Sequence, residues 1–86
     1  MYLEIVTPDE KVFEGEVESA TFPASDGSFQ VLADHAPMIS TLGTGDIKLI
    51  QDIDKKTQTI HFKVIGGVVE VLNNKVMVLA EKIETA

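Results

Sequence analysis

Apolar and polar residues alternate along most of this chain with a period of two, the signature of strands that bury one face. The clearest run has Ile60, Phe62 and Val64 apolar, with Thr59, His61 and Lys63 polar between them. Tyr2 to Thr7 alternates in the same way, with Leu3 and Ile5 on one face; a turn at Pro8-Asp9-Glu10-Lys11 leads into Val12-Phe13-Glu14. Beyond Glu16 the period slips, because Val17 and Ala20 differ in parity, and this predicts a bulge or strand bend near Ser19. Pro23 lacks an N–H, so it confines its strand to an edge or ends it. Met38 to Leu42 and Ile47 to Gln51 read as a hairpin joined by Gly43-Thr44-Gly45-Asp46, and Asp52 to Thr57 as the next polar tip. Gly66-Gly67 breaks the chain before Val68 to Leu72, and Asn73-Asn74 is a two-residue turn that tolerates left-handed φ. Lys75 to Glu81 closes the pattern, and no segment keeps the 3.6-residue period of a helix. The expected fold is all-β: a two-sheet antiparallel β-sandwich or flattened barrel of about eight to ten short strands.

Two stretches depart from simple alternation. The last hairpin is apolar on both faces, with Val69, Val71, Val76 and Val78 on one and Val68, Leu72, Met77 and Leu79 on the other. One face fills the core; the second is too apolar for water and is covered either by the fold itself or by another protein. The other stretch is Ser25 to Pro37, reading SDGSFQVLADHAP. It holds an Asp-Gly turn (Ser25, Asp26, Gly27, Ser28), a short apolar run and the elbow Asp34-His35-Ala36-Pro37. Pro37 fixes its own φ and drives Ala36 to an extended conformation, so the loop is stiff and loses little entropy on docking.

Composition narrows the function classes. With 86 residues the chain is one domain, spanning 1–86, with a thin core of its own. No apolar run is long enough to cross a membrane as a helix, and the N-terminus lacks the basic and cleavage features of a signal peptide. The chain has no cysteine, which removes disulfides, thiolate metal sites and cysteine nucleophiles, and fits a cytosolic setting. A net charge of −7 without a single arginine argues against a nucleic-acid partner and suits either solubility or a partner with basic loops. His35 beside Asp34 has the residue types of a base and its orienting carboxylate, but neighbours in sequence rarely take that geometry, so His35 reads as a turn cap or an interface residue. His61 reads as a solvated surface histidine, and the two histidines with scattered acids make no metal motif. No catalytic, metal or nucleotide site, cofactor or small-molecule substrate is expected.

Taken together, these residues resemble the N-terminal β-sandwich domain of the epsilon subunit of bacterial F-type ATP synthase. The resemblance runs from Leu3-Glu4-Ile5-Val6-Thr7-Pro8 and Val12-Phe13-Glu14-Gly15-Glu16-Val17 through Asp26-Gly27 and His35-Ala36-Pro37. It continues in Gly43 and Gly45, Ile65-Gly66-Gly67-Val68-Val69-Glu70-Val71 and Val76-Met77-Val78-Leu79-Ala80. The resemblance implies two antiparallel sheets and a non-catalytic rotor subunit that couples the gamma subunit to the c ring during proton-driven ATP synthesis. It also implies a peripheral place on the cytoplasmic face of the bacterial inner membrane, without direct insertion. It would place Ser25, Asp26, Gly27 and Ser28 against the c ring, and His35, Pro37, Met38, Leu72, Met77 and Leu79 against gamma. The family pattern carries Gly or Pro near the elbow where this chain has Leu32-Ala33-Asp34, and often a glycine where it has Gln30. Typical members continue into a helical hairpin that inhibits ATP hydrolysis; the expectation here is a single domain without it. Two alternatives stand beside this reading. One is a lipoyl- or biotinyl-type carrier domain with its group on Lys55 or Lys56, although carriers place Asp-Lys-Ala or Met-Lys-Met where this chain has Lys55-Lys56-Thr57. The other is a generic β-sandwich adaptor.

Overall fold

The computed structural model describes residues 1–84, and the expected domain limit at Ala86 lies outside them. The seven strands are β1 (Tyr2–Val6), β2 (Lys11–Glu16), β3 (Ser19–Ala24), β4 (Gly27–Leu32), β5 (Met38–Ile53), β6 (Lys56–Leu72) and β7 (Lys75–Glu84). They form one sheet in the order β2-β1-β7-β6-β5-β3-β4. Every neighbouring pair is antiparallel except β1 and β7, which run parallel.

The two layers of the sandwich are halves of this one sheet, and the parity of the buried residues shows where it folds over. In β5 the buried residue is Leu42 before the corner and Ile47 and Leu49 after it; in β6 it is Val64 before and Val69 and Val71 after. β7 buries Val76, Val78 and Ala80, then turns Ile83 toward the core. Each strand slips by one residue across the same line, so one face of the sheet lines the core on both sides of the bend. Gly66 and Gly67 take positive φ at the corner, and the β5–β6 ladder skips from Leu42↔Gly67 to Thr44↔Ile65. The Phe13 and Phe62 rings meet edge-on with centroids 6.0 Å apart, although β1 and β7 separate their strands in the sheet.

All-β architecture and the sandwich are as expected, but the described residues form seven strands in one mixed sheet, not eight to ten strands in two separate antiparallel sheets. The reason is that β5 and β6 run unbroken through their glycines and β1 pairs parallel with β7. Gly43 to Asp46 does not reverse the chain, and Gly66-Gly67 does not end a strand; β5 and β6 run through them. Gly45 instead leaves room for β3: a Cβ there would lie 2.9 Å from the Pro23 side chain. Pro23 is tolerated because β3 pairs with β5 only through Ser19–Thr21, so its missing N–H falls past that ladder. The parity slip near Ser19 is the crossing between β2 and β3, where the Glu18 N–H donates to the Ile50 carbonyl at 2.7 Å. The Asn73-Asn74 turn is present, with both residues at positive φ.

Candidate functional site

The second apolar face of the last hairpin lies on the outside of the layer built from β1, β7, the end of β6 and the start of β5. Alternation sends Val69, Val71, Val76 and Val78 into the core and leaves Val68, Leu72, Met77 and Leu79 on the other side. Leu79 remains 51% exposed and Leu72 48%, while Met77 and Val68 are half-buried. Cross-strand register carries this face onto β5: Ile39 lies opposite Glu70, which lies opposite Met77, and Thr41 opposite Val68, which lies opposite Leu79. Ile39 is 72% exposed, more than any other large apolar residue that stands out in water here. Sequence reading missed it, although extending the alternation of Met38 to Leu42 would have put it on this face. Met38 has the opposite parity and packs against the core, so it supports the rim while Ile39 occupies the surface. Pro37, Ile39, Glu70 and Leu72 line a shallow apolar hollow, and Leu72 and Met77 share the adjoining one with Lys75.

The elbow sits at one end of this face and is pinned there. Asp34 adopts φ 63°, a left-handed conformation that aspartate tolerates better than most residues. Its N–H donates to Asn74 Oδ1 at 2.9 Å, tying the elbow to the β6–β7 turn, and Asn74 O accepts from the Tyr2 N–H at 3.2 Å. The His35 N–H donates to the Leu32 carbonyl at 3.2 Å. His35 Nδ1 lies 2.7 Å from the Ala36 carbonyl, which only accepts, so Nδ1 carries the proton. The ring is thus oriented by the backbone and not by Asp34. Of the residues expected to face gamma, Pro37, Leu72 and Met77 fall around the two hollows, His35 lies within the elbow, and Leu79 continues the face along β7.

Ser25, Asp26, Gly27 and Ser28 form the exposed β3–β4 hairpin tip, with Gly27 at φ 132°. β4 runs from this tip to the elbow, so the two candidate contact regions stand at opposite ends of one strand, roughly 17–20 Å apart. The β5–β6 tip, Asp54-Lys55, has both residues at positive φ and lies at the elbow end of its layer, since Ser19 pairs with both Ile50 and Leu32.

The charged groups form small surface networks. Tyr2 donates its hydroxyl to Glu14, and Lys11 lies 3.2 Å from Glu14 and 3.8 Å from Glu4. The Tyr2 bond, followed by Lys11, holds the Glu14 carboxyl below its ordinary value. Glu18 is held above its ordinary value, first by a hydrogen bond shared with Asp52 and then by the Asp52 charge. His61 Nδ1 meets Asp46 Oδ2 at 2.6 Å on the outer surface of the other layer. Among the described residues, no group of three or more His, Cys, Asp or Glu side chains is placed to hold a metal ion.

Comparison with known proteins agrees with this geometry. The ATP synthase epsilon chain of Salinibacter ruber is 41% identical over an alignment covering 98% of this chain and 60% of that protein. The epsilon chain of Chlorobaculum tepidum is 40% identical, covering 94% of this chain and 89% of that protein. This chain therefore spans about 60% of the length of several of its curated relatives and most of the length of others. Among solved structures, the fold is shared with a chain in the central stalk and c-ring structure of Tetrahymena thermophila mitochondrial ATP synthase. That match has a TM-score of 0.81 at 18% identity and covers 96% of this chain and 64% of that one. A chain of Euglena gracilis mitochondrial ATP synthase gives a TM-score of 0.80 at 21% identity, covering 95% and 51%. The family described as ATP synthase, Delta/Epsilon chain, beta-sandwich domain matches residues 1–86. With the folded-over sheet, the pinned elbow and the apolar outer face in place along that whole match, the chain belongs to the ATP synthase delta/epsilon β-sandwich family.

Proposed function

We propose that this chain is a non-catalytic rotor subunit in the central stalk of an F-type ATP synthase. It joins the foot of gamma to the c ring, turns with them, and passes torque between proton flow and ATP synthesis. The observation that carries this reading is the exposed apolar face of Ile39, Val68, Leu72, Met77 and Leu79, on a chain similar over nearly its full length to epsilon chains. Such a face on a small domain is an interaction surface. Gamma covers it, with Pro37 and the oriented His35 at its end and Met38 supporting its rim. The polar Ser25–Ser28 tip, at the far end of β4, contacts the loops of the c ring. The protein then lies peripherally on the cytoplasmic face of the bacterial inner membrane, as part of the assembled enzyme. Affinity purification of the tagged chain from its native membranes tests this: gamma and the catalytic subunits should co-purify in fixed proportion. Recovery of the chain free of ATP synthase subunits would overturn it.

A further inference from the structure

Glu70 occupies the middle of the apolar face. Register places it between Ile39 on β5 and Met77 on β7, and Val68 and Leu72 flank it on β6. Its side chain is exposed and has no hydrogen-bond or ion-pair partner among the described residues. Lys75, the nearest lysine along the register, lines the same hollow as Glu70 but makes no ion pair with it: its ammonium lies over the Tyr2 ring, 5.6 Å from the centroid. Glu4 and Glu14, further along the same face, are both engaged by Lys11. Glu70 is thus an unpaired carboxylate ringed by apolar side chains.

A surface that covers the ring also strips water from the carboxylate. An uncompensated charge there opposes docking strongly, whereas a cation delivered to it gives a charge-assisted bond in a dry setting. We infer that Glu70 is the charged anchor of this interface, and that the partner surface brings a lysine or arginine to it from within an apolar patch. This rests on the reading that gamma covers the face, and it states what gamma must present there. A second copy of the chain is a poor occupant: it carries the same −7 charge, has no arginine, and would bring its own Glu70 to the interface. The anchor also confers specificity, since an apolar partner lacking the cation is rejected by the buried charge.

The sign of one substitution separates this from simple apolar docking. Purified chain is titrated with the gamma subunit of the same organism, comparing parent, Glu70→Gln, Glu70→Met and Leu79→Lys. Glu70→Gln should weaken binding by about tenfold or more, and Glu70→Met should weaken it as well, because each leaves the partner's cation buried and unpaired. The Glu70 variants should melt within a few degrees of the parent, since Glu70 holds nothing within the fold. If Glu70→Met binds as tightly as parent or more tightly while Leu79→Lys binds weakly, the face docks but no cation meets Glu70, and the inference is overturned. If Leu79→Lys and the Glu70 variants all bind like parent, gamma binds elsewhere and the inference falls with that site. A parent chain that does not bind gamma overturns the proposed function itself.

Discussion

On β7, Val78 is fully buried while the adjacent Leu79 is half exposed, although the two side chains are chemically alike. Parity alone decides what a substitution costs. Ile5→Ala, at a fully buried site on β1, should lower unfolding free energy by about 2–5 kcal/mol through lost transfer energy and the cavity left behind. Leu79→Lys should change it by less than about 1 kcal/mol, because lysine can lay its stem along the sheet and keep its head in water. Urea denaturation of the isolated chain measures both. A second residue-scale expectation concerns Glu18, whose folded value is raised by Asp52. An acid with a raised folded value stabilises the fold fully below its unfolded value, and that contribution is lost as the pH rises through the folded value. At neutral pH the two carboxylates repel. Asp52→Asn should therefore raise the melting temperature near pH 7, and the difference should vanish or reverse as the pH falls below the ordinary glutamate value of 4.5. Thermal melts across that range check it; an equal shift at every pH would show that the pair does not interact.

At the scale of elements, the corner through β5, β6 and β7 is the decisive feature. A Cβ on Gly67 would lie 2.4 Å from the Leu79 carbonyl oxygen, against rigid backbone, and its φ of 144° disfavours any side chain. Gly67→Ala should destabilise by about 2–3 kcal/mol, by the combined clash and backbone strain. Gly27 has a similar φ but open space around it, so Gly27→Ala should cost only about 1 kcal/mol, from backbone strain alone. Chemical denaturation of the pair separates the two causes. The same corner marks what could be read in advance. Alternation revealed most of the strands, and Asn73-Asn74 announced its turn by residue type alone. The parity slip near Ser19 read as a bulge or bend but is the break between β2 and β3, because parity cannot tell a kinked strand from two strands. Gly43 and Gly45 were open to misreading because glycine permits both a reversal and a close approach, and which applies depends on Pro23, far away in sequence. The parallel pairing of β1 with β7 brings together strands far apart in sequence and leaves no local signal. Leu72, Met77 and Leu79 were legible as a second apolar face, whereas Ile39 needed the β5–β6 register to join them.

For the whole molecule, the folded sheet sets the distances between surfaces. The domain measures 32 × 30 × 24 Å, with the Ser25–Ser28 tip at one end of β4 and the elbow and Asn73-Asn74 turn at the other. Under the proposed placement, a body of this shape holds the two partners apart, and one hydrogen-bonded sheet links the two contact regions. Its charge of −7 suits basic loops on those partners, with a contribution that weakens as salt rises. Site-directed cross-linking in the assembled enzyme tests the proposed placement most directly. Single cysteines at Ser28, Leu79 and Lys55 are paired in turn with cysteines in the c-ring loop and in the foot of gamma. Ser28→Cys should form a disulfide with the c-ring loop, Leu79→Cys with gamma, and Lys55→Cys with neither. A c-ring disulfide from Lys55→Cys, with none from Ser28→Cys, would show that the domain stands the other way up and would contradict the account.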